Sequence, residues 1–190
     1  MTEASRKERI LGVAERLFAH YGPGKTTIAD IARACGIGVG SVYLDFSSKE
    51  AILAALSQKK VSSVASRMKA AAPADRPTPE RLVAMLEARV VALFELAESA
   101  QHGCDLVRCG GARGESHGFG VEVRAVLVHE LDLGVRTGRL RPLDPAEAAE
   151  LIEVAFAALS PPALFQRDRA EAIETARRLA DLIVNGLGSR

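Results

Sequence analysis

Residues 26–49 read TTIADIARACGIGVGSVYLDFSSK, and the spacing inside this stretch decides the fold. Thr27 is placed to cap a helix while Asp30, three residues on, supports its first turn. Ile28, Ile31, Ala32 and Cys35 then recur at three- and four-residue steps, which gives a helix of about two turns one apolar face. Gly36 opens the break Gly36-Ile37-Gly38 and supplies the positive φ that a tight turn between two short helices requires. A further short helix is predicted over Val39 to Phe46, with Val42 and Phe46 turned inward. Ala32 is small because that helix crosses close to its backbone, and Ile31, Cys35, Ile37 and Val42 form the core that sets the crossing angle. Cys35 belongs to this core as a small hydrophobe. The pattern is that of a helix-turn-helix, whose second helix enters the major groove and turns its outward side chains to bases and phosphates. With Val42 and Phe46 inside, those outward residues are Gly40, Ser41, Tyr43, Leu44 and Asp45. A three-helix bundle without a DNA role shares the geometry, but the polar residues at the exposed positions would then be arbitrary.

Upstream, Ile10, Val13, Ala14, Leu17, Phe18 and Tyr21 make one apolar stripe, with Ser5 and Glu8 spaced as a capping box and Gly22-Pro23-Gly24 as the stop. Downstream, Ser47 or Ser48 caps a long helix through Ile52, Leu53 and Leu56 toward Ala70, and the prolines at 73, 77 and 79 mark a linker. Thr78-Pro79 opens a helix through Leu82, Met85, Leu86, Val90, Leu93 and Phe94. Six glycines within residues 99–120 predict an irregular segment with at most a short helix near Asp105. Helical pattern resumes from Val121 to about Gly138. Asp144-Pro145-x-Glu147 starts another helix with Ala148, Ile152, Ala155, Phe156 and Leu159 on one face, and Ser160-Pro161-Pro162 stops it. A last helix over Asp168 to Asn185 presents Ile173, Ala176, Ala180, Ile183 and Leu187. The expectation is an all-α chain: a three-helix DNA-binding domain over residues 1–50 and a helical ligand-binding and dimerisation domain over residues 51–190.

Composition agrees with this division. The 190 residues are 48% hydrophobic but only 4% aromatic, rich in Ala, Leu, Glu and Arg, which favours helix. Residues 1–70 carry 11 Lys/Arg against 6 Asp/Glu, and residues 71–190 carry 14 against 18. A basic first third on an acidic remainder suits a DNA reader carried by a regulatory body, since phosphate neutralisation supplies most non-specific affinity. No run approaches the roughly 20 apolar residues of a membrane span, and the polar start from Met1 to Ile10 has no signal-peptide core, so a cytoplasmic protein without membrane association is expected. Three cysteines at 35, 104 and 109 do not make a disulfide framework.

The stretch S-V-Y-L-D-F-S-S-K-E-A-I-L, residues 41–53, resembles the TetR family, in which a tyrosine and an aromatic three residues on close the recognition helix and a lysine opens the next. The resemblance covers residues 6–56; beyond them it extends to helical architecture and the closing Gly186-Leu187. It implies phosphate contacts from Thr27, Ser41, Tyr43 and Lys49 and base-facing positions at Val39, Gly40 and Leu44. Lys49 also falls at a helix N-terminus, where backbone amides favour an anion. Gly38, Val39, Gly40 and Leu44 offer no bidentate side chain for a purine, so contact with thymine methyls and groove shape carry more of the specificity. The family further implies a homodimer on palindromic double-stranded DNA, with the last two helices forming a four-helix interface, and release by a small-molecule effector.

Effector walls are expected at Val90, Leu93, Phe94, Phe119, Val123, Leu127 and Phe156, with His129 and Arg124 as polar anchors. His102, Cys104, Cys109 and His117 crowd the glycine-rich segment; a metal, a thiol sensor and unrelated loop residues are three readings of that cluster. No cofactor is expected. No nucleophile elbow, phosphate loop, zinc-protease helix or dinucleotide fingerprint is present, which weighs against an enzyme. Repression relieved by a small molecule is the expected mode, with activation as the alternative.

Overall fold

A computed structural model describes residues 3–72, 74–98 and 117–187. Among them the chain is helical: α1 (Glu3–Tyr21), α2 (Ile28–Cys35), α3 (Val39–Asp45), α4 (Lys49–Ala70), α5 (Thr78–Glu98), α6 (His117–Arg136), α7 (Pro145–Ala155) and α8 (Arg169–Leu187), with 3-10 turns at Ala157–Leu159 and Ala163–Gln166. The expected all-α class is thus observed. No helix among the described residues is long and apolar enough to cross a membrane. The chain forms two compact units, one built on residues up to Lys60 and the other on Val61–Glu95 and the residues from His117 on.

In the first unit the predicted stripes meet in one core. Ile10, Val13, Ala14 and Phe18 of α1 pack with Ile31, Ala32 and Cys35 of α2, Val42 and Phe46 around α3, and Ile52 and Leu56 of α4. Each large side chain fully buried here contributes about 1.5–3 kcal/mol relative to exposure. Two details differ from expectation. α1 starts at Glu3, so Ser5 and Glu8 lie inside the helix rather than forming a capping box, because residues 3–9 are themselves sound helix formers. Tyr21 stands out in solvent at the helix end and takes no part in the core, stacking edge-on with His20 instead.

The second unit buries Val64 and Met68 of α4, Leu82, Leu86, Val90 and Leu93 of α5, and Leu127 and Leu131 of α6. Asp144 caps α7 through Ala146 N–H at 2.8 Å, as its sequence predicts. Thr78, by contrast, is the first residue of α5 and is buried, one place inside the expected cap. α6 begins at His117, four residues ahead of the pattern seen from Val121, so Gly118 and Gly120 fall in a helix despite their low propensity. The buried line of α7 is Ala149 and Ile152, leading to Phe156, while Ala155 is exposed. The inward line of α8 is Ala172, Ala176, Ala180 and Val184 at a strict four-residue step, with Ile173 and Ile183 half-buried beside it. Gly134 is required because side chains close over it: a Cβ there would stand 2.5 Å from Leu140 Cδ1 and 2.8 Å from Thr78 Cγ2.

Candidate functional site

The recognition pair is locked by local chemistry. Asp30 N–H donates to Thr27 Oγ1 at 3.2 Å and Thr27 N–H donates to Asp30 Oδ2 at 3.0 Å, closing a reciprocal cap on α2. Hydrogen bonds from the Thr27 hydroxyl and backbone hold the Asp30 carboxyl below the usual carboxylate range. At the other end Gly36 takes φ +64, and Ile37 N–H donates to Ala32 O at 3.0 Å, the bond that closes a left-handed helix end. α3 leaves this turn with Gly38 as a cap that has no side chain to offer.

α3 then divides its residues between two faces. Val42 is fully buried and Phe46 nearly so, and Lys7 of α1 lies over the Phe46 ring, 5.3 Å from its centroid. Val39, Gly40, Tyr43 and Leu44 face solvent, with Tyr43 at 53% and Leu44 at 76% exposure. A Cβ at Gly40 would meet nothing within 4 Å, so the outward face is open at that point. Ser41 is half-buried at the flank. Asp45 departs from the outward set. Its carboxylate, 1% exposed, receives Arg6 Nε at 2.7 Å and Arg6 Nη2 at 3.0 Å, and the Arg6 hydrogen bonds hold it below the ordinary carboxylate range. Arg6 and Lys7 are functional supports that the sequence reading missed, since nothing in the polar opening of α1 names their partners.

Lys49 is also more engaged than a free phosphate contact would be. Its ammonium donates to Pro23 O at 2.8 Å and Thr26 O at 3.2 Å, tying the start of α4 to the loop before α2. Thr26 is itself buried and donates to Gly22 O at 3.0 Å, so this loop is held from both sides. Ser48 caps α4 by accepting from Ala51 N–H at 3.1 Å.

In the second unit, Val90, Phe94, Val123, Leu127 and Phe156 are all buried side chains. His129 is exposed and lines a cleft of about 660 Å³ with Ser62, Ala65, Ser66, Lys69, Ala72, Arg81, Met85, Glu122, Ala125, Val126 and Glu130. The other expected wall residues with described side chains lie away from that cleft, because they complete the packing between helices. Arg124 is paired with Glu153. The side chains of Phe119 and His117, and the residues His102, Cys104 and Cys109 of the same cluster, lie outside what is described. Arg89 is fully buried, donates to Ser160 Oγ at 2.7 Å, and is lowered to about 10 by desolvation.

Two short helices at a glycine turn, the second anchored by one face and bare on the other, define a helix-turn-helix protein of the type that reads DNA with its second helix. Residues 10–56 match the family model for bacterial regulatory proteins of the tetR family. That stretch, residues 10–56, is a DNA-binding region of the TetR type. The chain is 44% identical over 64 residues to the HTH-type transcriptional regulator YerO of Bacillus subtilis, a match covering 34% of this chain and 22% of that protein. It is 36% identical over 67 residues to the HTH-type transcriptional repressor Rv1474c of Mycobacterium tuberculosis, covering 34% of this chain and 36% of the relative. The chain therefore aligns with well under half the length of these curated relatives. Over 95% of its length it is similar to the TetR-family transcriptional regulator PfmR of Thermus thermophilus, with a TM-score of 0.59 and 25% identity, covering all of that chain.

Proposed function

We propose that this chain is a homodimeric transcriptional repressor that binds palindromic double-stranded DNA through α3 and is released by a small-molecule effector. The observation that carries the reading is the split of α3: Val42, Phe46 and the Arg6–Asp45 pair anchor one side, while Val39, Gly40, Tyr43 and Leu44 stay bare although three of them are large and apolar. Exposed apolar residues on a rigidly held helix are costly in water and useful in a groove. Val39 and Leu44 meet thymine methyls, and Gly40 lets the helix backbone approach the bases. Tyr43, Ser41 and Thr27 contact phosphates, joined by the third ammonium proton of Lys49.

Dimerisation follows from α7 and α8. Leu151, Val154 and Leu182 are among the exposed large hydrophobics of the chain, and a four-helix contact between two copies buries them. The effector engages the second unit, where Val90, Phe94, Val123, Leu127 and Phe156 supply the apolar interior and His129 reaches the cleft. α4 runs unbroken from Lys49, beside the recognition pair, to Ala70, with Ser62, Ala65, Ser66 and Lys69 on the cleft. An effector that shifts α4 changes the spacing of two reading helices that must match half-sites about 34 Å apart. A coupling of about 1–3 kcal/mol is typical for such a device.

The test is selection from random or genomic fragments at moderate salt, followed by footprinting. The expected result is a two-fold site with two protected half-sites, absent for the Tyr43→Ala/Leu44→Ala double variant. Equal selection by both proteins would overturn the assignment of α3.

A further inference from the structure

The floor of the cleft in the second unit contains an ion pair whose hydrogen bonds do not close. Arg81 of α5 donates from Nη2 to Glu130 Oε2 of α6 at 2.8 Å, and the Glu130 side chain is only 2% exposed. Arg81 Nε and Glu130 Oε1 are both sealed from solvent and have no hydrogen-bond partner. Buried polar atoms are nearly always paired, and an orphan carries its full desolvation penalty. One ion pair thus holds an orphaned donor and an orphaned acceptor. Both residues line the cleft, whose walls include Ala65, Met85 and Val126 and whose rim carries Lys69 and His129.

We propose that this cleft is the effector site and that it takes a neutral molecule bearing a hydroxyl or carboxamide group. The proposal rests on the reading above that a small effector releases the protein from DNA, and it adds the place and chemistry of that effector. The guest's own N–H or O–H donates to Glu130 Oε1, and its oxygen accepts from Arg81 Nε–H, as the two side chains pivot into the cleft. Charge selects against the alternatives. A carboxylate serves Arg81 but confronts Glu130. An ammonium serves Glu130 but offers nothing to Arg81 Nε–H and meets its positive charge. A hydrocarbon leaves both atoms orphaned. The pair is already neutral as a unit, so it asks for no net charge in its guest, and Ala65, Met85 and Val126 receive the apolar part.

The experiment uses the full chain and four probes on one skeleton: benzamide, benzyl alcohol, benzoate and benzylammonium, titrated by saturation-transfer NMR. Benzamide and benzyl alcohol are expected to bind at least about tenfold more tightly than the two ions. Ser66→Trp, at an exposed position of the cleft wall, should abolish that binding while leaving the helical circular dichroism intact. Glu130→Gln, which puts an amide donor where a carboxylate oxygen stood, should raise benzoate binding relative to benzamide. No binding by any probe, equal binding by all four, or binding that survives Ser66→Trp overturns the proposal. Gel shifts of the unliganded protein run alongside: DNA binding without probe binding sinks the cleft assignment alone, and probe binding without DNA binding sinks the regulator reading alone.

Discussion

Arg6 in α1 and Asp45 at the end of α3 are 39 residues apart and meet in a two-point ion pair at 2.7 and 3.0 Å. The pair fixes the C-terminal end of the reading helix, and its planar fork is a geometry that lysine does not reproduce.

A pH signature follows. Because Arg6 lowers the Asp45 pKa, the stabilisation is fully present above about pH 4, where the unfolded carboxyl is ionised, and is lost as pH falls through the lowered folded value. Asp45→Asn should therefore melt below wild type near neutral pH, and the gap should narrow in acid below about pH 4. Thermal melts across that range check it; a gap that stays constant into acid would assign the loss to shape rather than charge.

Gly36 gives the cleanest backbone test. With φ +64 and no atom within 4 Å of a built Cβ, an added methyl meets strain and no clash. Gly36→Ala should cost about 1 kcal/mol, and Gly36→Asn less, since Asn tolerates the left-handed region. Urea unfolding of both variants measures the difference, and equal stability of all three proteins would refute the strain account.

These two positions also mark how far sequence carries. The Gly36 turn was legible because only backbone sterics are involved and the apolar steps on either side fix its place. The α3 faces were legible for the same reason, with Val42 and Phe46 inward. Asp45 was not: alone it reads as an outward polar residue, and its burial depends on Arg6, a partner that local periodicity cannot reveal. The cleft was missed likewise. Val90, Phe94, Val123, Leu127 and Phe156 satisfy an apolar pattern by filling the core, whereas Arg81 and Glu130 meet only through tertiary packing. In α8, periodicity found the helix but placed its centre one residue off, because isoleucines outweigh the alanines that face inward.

Lys49 should show two separable effects. Lys49→Met keeps the stem but leaves Pro23 O and Thr26 O without their donor, so stability should fall by about 1–2 kcal/mol in the absence of DNA. If the remaining proton meets a phosphate, the slope of log K against log salt should also flatten by about one unit. A stability loss with an unchanged slope would make Lys49 a clamp of the loop and nothing more.

The last prediction concerns assembly. Leu182 is 72% exposed on α8, and Leu151 and Val154 stand at least 60% exposed on α7. Leu182 can be changed without touching the inward line Ala172, Ala176, Ala180 and Val184, so a charge at 182 leaves the fold of the second unit intact. In a two-fold contact each substitution occurs twice and faces its own copy or near it, which doubles the penalty of burying charge. Leu182→Glu should therefore yield a folded monomer by analytical ultracentrifugation at micromolar concentration, with unchanged helical signal. A monomer holds only one half-site, so operator affinity should fall by at least about a hundredfold while single half-site binding persists. A variant that sediments as wild type would place the dimer contact on another face, and a wild-type protein that is itself monomeric at operator-binding concentrations would remove the two-fold model altogether.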